Sequence, residues 1–142
     1  MILCLKIRCQ PFGVNRIEAA ARHPFFLWVV AYPERLSTAI RAAIDDPDND
    51  TFVSAATCWE MAIKVARGRL DFPMQKFRDT IEAFGFLVLP IALEHAVSAG
   101  ALPRHHADPF DRMLIAQAQV EGLTLVTVDA QMRLYEVPTL GV

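Results

Sequence analysis

Three carboxylates in this 142-residue chain occupy positions where side chains can do chemistry. Glu60 comes soon after the apolar run TFVSAA, Asp111 falls in the first turn of DPFDRMLIAQAQV, and Asp129 directly follows LTLVTV. Acids that converge from separate elements repel one another unless a cation holds them. Hard divalent ions take oxygen ligands of this kind and leave coordination sites to water and phosphate. An ion so held lowers the pKa of bound water and stabilises charge on a phosphoryl oxygen. Each acid also has an ordinary structural duty. Thr57-Cys58-Trp59-Glu60 fits a capping box, in which Glu60 bonds back to backbone N–H. Asp108-Pro109-Phe110-Asp111 places an N-cap residue, a proline at the first helical position and an acid in the first turn. Asp129 can cap the turn after its strand. Capping and ligation are compatible, because one carboxylate has two oxygens.

The elements that must position these acids are well punctuated from Leu36 onward. Ser37 caps a helix running through Ile40 and Ile44 that must stop before Pro47. DDPDND is an acidic turn, and Thr51 to Ala56 reads as a buried strand. Thr57 opens a helix with Trp59, Ile63 and Ala66 near one face, closed by Gly68. MQKFRDTIEAF is a helix, FLVLP a strand, LEHAVSAGAL a helix, and Asp108 begins a helix that runs to Val120 and ends at Gly122. LTLVTV is a strand, AQMRLY a helical turn, and VPTL completes the chain. Strands alternating with helices of about ten residues imply an α/β domain, with a mostly parallel sheet and helices on both faces. Ligands in such folds bind beyond the carboxyl ends of the strands, which is where the three acids fall.

Composition fits one domain over residues 1–142. Hydrophobic residues make up 54% of the chain, ample for one core, and the net charge of −2 excludes a basic nucleic-acid coat. Any nucleic-acid chemistry must therefore be local or helped by bound cations. Cys4, Cys9 and Cys58 form no CxxC pair and no even set, so a reducing, cytoplasmic setting is expected. PFFLWVVAY, from Pro24 to Tyr32, is too short to span a bilayer and reads as a buried helix, so no membrane association is expected.

From about Tyr32 to its C-terminus the chain resembles the PIN-domain nucleases, most closely the VapC-type toxins of bacterial toxin–antitoxin pairs. The resemblance is carried by PERLS, by SAATCWEMAIKVARGRL from Ser54, by PRHHADPFDRMLIAQAQVEGLTLVTVDAQMRLY from Pro103, and by the closing YEVPTL. It implies an α/β/α sandwich and Mg²⁺- or Mn²⁺-dependent cleavage of RNA. Carried over by position, the family's second, third and fourth acids fall on Glu60, Asp111 and Asp129. Asp108 is a lesser candidate ligand whose other duty is the helix cap. The resemblance also implies an antitoxin partner and a homodimer, with PFFLWVVAY and AIRAAI as contact elements.

The N-terminal region, residues 1–31, departs from the family. Where the first family aspartate belongs, two residues before a histidine, this chain has Ala21, followed by Arg22 and His23-Pro24, and one extra residue precedes Trp28. MILCLKI reads as the first strand, with Lys6 about where the acid would stand. Glu18 is the only acid before Glu34. A missing ligand weakens a group of residues that works as a unit. The expected function is thus a VapC-like endoribonuclease impaired by that loss. Its alternative is an inactive PIN fold acting as an antitoxin- or RNA-binding module. A nucleotide-binding α/β domain is disfavoured, because no Gly-rich phosphate loop is present.

Phosphate contacts would come from Lys64 and Arg67 on the Glu60 helix, from Arg104 in the loop before Asp108, and from Arg112 beside Asp111, with Arg69 further out. Each alone reads equally as a solubilising surface charge. His105-His106 reads as solvated loop, Trp59 as core, and Cys58 as a small buried hydrophobe.

Overall fold

The structure, a computed structural model, describes residues 3–7 and 25–141. Ala21, Arg22, His23 and Glu18 lie outside the described residues. A five-stranded sheet, in the order β3-β2-β1-β4-β5, comprises β1 (Leu3–Ile7), β2 (Asn49–Ser54), β3 (Leu87–Leu89), β4 (Thr124–Val126) and β5 (Thr139–Leu140). The helices are α1 (Phe25–Ala31), α2 (Thr38–Asp45), α3 (Ala55–Ala66), α4 (Phe77–Ala83), α5 (Leu93–Ala101) and α6 (Pro109–Glu121). Short 3-10 turns stand at Pro33–Arg35, Met74–Lys76 and Ala130–Leu134. The α/β class expected from the strand–helix alternation is borne out.

Four strands run one way: β2 pairs with β3 in parallel, and β4 with β5. The central strand β1 runs against them, antiparallel to both β2 and β4. Its register sets Leu3 opposite Val53 and Ile7 opposite Asn49. The carboxyl end of β1 therefore lies at the edge of the sheet away from the carboxyl ends of β2 and β4. Lys6 stands opposite Asp50 near the start of β2, not beside the acids that follow the other strands.

The core forms where apolar faces meet. In α1, Phe26 is fully buried, with its ring centroid 5.0 Å from that of Phe77, and Val29 is buried with it. The helix expected within PFFLWVVAY thus forms and turns one face to the core, while Ala31 and Tyr32 at its end are exposed and Pro24 lies outside the described residues. Helix α6 runs through the interior, and Leu114, Ile115, Ala116, Gln117 and Ala118 are all buried. Gln117 is the polar member of that stretch, and its amide is satisfied there. Its Oε1 accepts a 2.6 Å bond from Ser54 Oγ, and its Nε2 donates to the Pro90 carbonyl. Ser37 caps α2 by accepting from the Ile40 N–H, and Gly122 ends α6 with φ 61°, a conformation that suits glycine.

Three local expectations are corrected. Strand β2 ends at Ser54, and Ser54 itself caps α3 by accepting from the Ala56 N–H. The helix thus starts two residues before Thr57, Thr57 is buried inside its first turn, and the Thr57–Glu60 capping box does not form. Trp59 is not core: it is 60% exposed, because the buried residues of α3 are Ala56, Thr57 and Met61. His106 is not solvated, since only 4% of its surface is exposed.

Candidate functional site

Glu60 is freed from capping duty by the early start of α3. Its carboxylate instead forms an ion pair with Lys64 one turn on, and both side chains are largely buried. Asp108 caps α6 as expected, its Oδ1 accepting from the Phe110 and Asp111 N–H groups at 2.8 and 3.3 Å. That cap places Asp111 at the third helical position, where it is 4% exposed and its Oδ2 has no hydrogen-bond partner. Burial pushes the Asp111 carboxyl above its ordinary range, the charges of Asp108 and Glu60 push it the same way, and His106 opposes them. Asp111, Asp108 and Glu60 therefore share one region of negative potential. A buried carboxylate oxygen without a protein donor costs about 1–3 kcal/mol or more, unless a cation arrives.

Asp129 enters through a different route. It caps the 3-10 turn after β4, with Oδ1 accepting from the Gln131 N–H and its own N–H donating to Thr127 Oγ1. Its Oδ2 lies 3.3 Å from His106 Nε2. His106 thus touches Asp129 and also acts on Asp111 electrostatically. The His106 backbone is held in turn by Tyr135, whose hydroxyl accepts from the His106 backbone N–H at 2.8 Å and donates to the Pro103 carbonyl at 3.3 Å. The two rings pack with centroids 5.6 Å apart.

Among the described residues, no three His, Cys, Asp or Glu side chains stand close enough together to enclose a metal ion. The charge of Glu60 acts on Asp111, Asp108 caps the turn that carries Asp111, and Asp129 lies against His106. The donor chemistry suits a hard divalent cation: oxygen ligands, one of them buried without a donor.

The basic residues differ in what they are free to do. Arg112 is held by four backbone carbonyls, Pro103, Ala99 and Leu102 at 2.7–2.9 Å and His106 at 3.4 Å. It fastens the loop before Asp108 to the end of α5, so its guanidinium is not the open phosphate contact read from sequence. Arg104 is exposed and lines a cavity of about 420 Å³ with Gly100, His106, Ala107 and Arg112. Arg67, also exposed, closes α3, and Lys64 is paired with Glu60.

The PIN domain family matches residues 25–138. This chain belongs to that family. Ribonuclease VapC22 of Mycobacterium tuberculosis (strain ATCC 25618 / H37Rv) is 30% identical to this PIN domain over 118 residues, covering 78% of this chain and 86% of the relative. The 1-deoxy-D-xylulose 5-phosphate reductoisomerase of Xanthomonas oryzae pv. oryzae (strain PXO99A) is 30% identical over 110 residues. That of Xanthomonas euvesicatoria pv. vesicatoria (strain 85-10) is 29% identical over 110 residues. Both alignments cover 67% of this PIN domain and 27% of the relative, so the chain spans about a quarter of the reductoisomerases it matches. The resemblance read from SAATCWEMAIKVARGRL and DPFDRMLIAQAQV is thus borne out. No helix of the described residues is long and apolar enough to cross a membrane.

Sequence reasoning missed the clamp of Tyr135 and Arg112 on the loop between Leu102 and Asp108, and with it the buried His106. No short spacing signals those contacts, because their partners lie up to 32 residues apart. The Ser54 cap was legible by the same rule that located the cap at Ser37.

Proposed function

We propose that this chain is a VapC-like endoribonuclease that hydrolyses RNA phosphodiester bonds with Mg²⁺ or Mn²⁺ held by Glu60 and Asp111, and by Asp129 directly or through water. The observation that carries the reading is Asp111: a carboxylate buried at the start of α6, one oxygen unpartnered, facing the charges of Glu60 and Asp108. Folding tolerates such an arrangement poorly unless function requires it. When bound, a divalent ion there activates water and stabilises the charge that develops on the phosphoryl oxygens.

The chain's own residues supply the rest. Asp108 orients Asp111 by fixing the first turn of α6, and His106 holds Asp129 toward the same edge. Lys64 neutralises Glu60 until a cation or substrate competes for it. Arg104 and Arg67 offer exposed charge for phosphates on either side, which suits a chain whose net charge is slightly negative. The family membership and the ribonuclease relative support RNA as substrate, and with it an antitoxin partner, a homodimer and a cytoplasmic setting.

A second reading has its own observation. β1 (Leu3–Ile7) carries no acid, and because it runs antiparallel its carboxyl end lies away from the carboxyl ends of β2 and β4, so among the described residues no acid of the first strand joins Glu60 and Asp111. This favours an inactive PIN fold that binds antitoxin or RNA without cutting. The two are separated by incubating mixed-sequence single-stranded RNA with the protein in Mn²⁺ and in EDTA. Cleavage that requires Mn²⁺ and is abolished by Asp111→Asn supports the nuclease. RNA binding without cleavage at any Mn²⁺ concentration supports the module.

A further inference from the structure

Residue 59 is the largest departure from the expected core. Its indole is 60% exposed and rests edge-to-face on Phe110, with ring centroids 5.1 Å apart. Each ring is the chain neighbour of a pocket acid: Trp59 precedes Glu60 on α3, and Phe110 precedes Asp111 on α6. Helices α3 and α6 therefore bring together an aromatic pair and an acidic pair side by side. The Trp59 side chain also borders a cavity of about 460 Å³, lined by Cys58, Ala62, Met74 and Val88 among others.

We infer that Trp59, braced by Phe110, is a stacking platform for an unpaired nucleobase of single-stranded RNA whose backbone lies at the Glu60–Asp111 pair. The inference rests on the nuclease reading and adds what that reading leaves open, the contact that seats a base. An indole left in water gains by covering its face, and bases stack on aromatic rings whatever their sequence. Single-stranded RNA presents such bases splayed from the backbone, whereas a duplex hides them. The Phe110 contact limits the freedom of the indole, so little order is lost when the base arrives.

The test uses the full chain and a mixed-sequence single-stranded RNA decamer carrying 2-aminopurine, whose fluorescence is quenched by stacking. The parent and Trp59→Phe quench the probe. Trp59→Leu, which keeps apolar bulk and removes the ring, leaves it bright and raises KM for RNA about five- to hundredfold with kcat within twofold. The melting temperature of Trp59→Leu matches the parent because the ring is largely exposed, and this separates a lost contact from a lost fold. Equal quenching and equal KM in parent and Trp59→Leu, with the parent still cleaving RNA, overturns the platform alone. A parent that neither binds nor cleaves the RNA overturns both the platform and the nuclease reading.

Discussion

Replacing Asp111 by Asn should stabilise this protein in the absence of metal and cost it its response to metal. The carboxylate is 4% exposed, its Oδ2 has no donor, and Asp108 and Glu60 add like charge. An unsatisfied buried polar group costs about 1–3 kcal/mol, more when charged. Asn keeps the shape and removes the charge, so a gain of about 1–2 kcal/mol is expected. At about 2–4 °C per kcal/mol for a domain near this size, that is a rise of about 2–8 °C in Tm. The pH dependence follows from the raised carboxyl. Just above the ordinary carboxylate range the native state holds a proton that the unfolded chain has released. Parent stability therefore falls as pH rises from the ordinary value through the raised one, and is level above both. The variant lacks this fall, so the gap opens across that window. Added Mn²⁺ reverses the order: at one hundred times Kd the parent gains about 2.7 kcal/mol, and the variant gains little. Scanning calorimetry in EDTA and in Mn²⁺, from pH 4 to 8, reads all three effects. A variant that melts below the parent in EDTA at pH 7, or gains as much as the parent from Mn²⁺, refutes the reasoning.

Other perturbations follow from the same contacts. Lys64→Met removes the cation paired with Glu60. It should lower apo stability by about 1–2 kcal/mol, less than for a fully buried pair, while raising Mn²⁺ affinity several-fold by isothermal titration. Arg112→Ala releases four carbonyls and the loop before Asp108. A loss of about 2–4 kcal/mol in urea unfolding is expected, with faster amide exchange in residues 102–108. His106→Gln, whose amide can reach Asp129 much as Nε2 does, should keep Mn²⁺ affinity within a few-fold. His106→Phe keeps the ring on Tyr135, loses the bond to Asp129, and should weaken Mn²⁺ about tenfold.

Local signals carried much of the fold. The caps at Ser37 and Asp108, the stop at Gly122 and the strand–helix alternation were legible because each depends on residues a few positions apart. The α3 start was misplaced because Thr57 and Ser54 both look like caps, and only the end of β2 decides between them. The spacing of Trp59 to Ile63 points to the core. The stripe that faces inward instead passes through Ala56, Thr57 and Met61, an orientation set by where α6 lies. The reversed direction of β1 has no local signature, since a short apolar strand reads the same either way. Of the proposed site, Glu60, Asp111 and Asp129 are legible from their places after strands and from the family likeness. The role of His106 depends on Tyr135 and Asp129, which no nearby spacing reveals.

The most direct measurement is the anomalous difference map of a crystal grown with Mn²⁺. The account predicts one strong peak at the carboxyl edge of β2 and β4, with oxygens of Glu60 and Asp111 at about 2.1–2.2 Å and Asp129 bound directly or through water. A structure with no peak there at saturating Mn²⁺, or with Glu60 still paired with Lys64 and not with the ion, would contradict it.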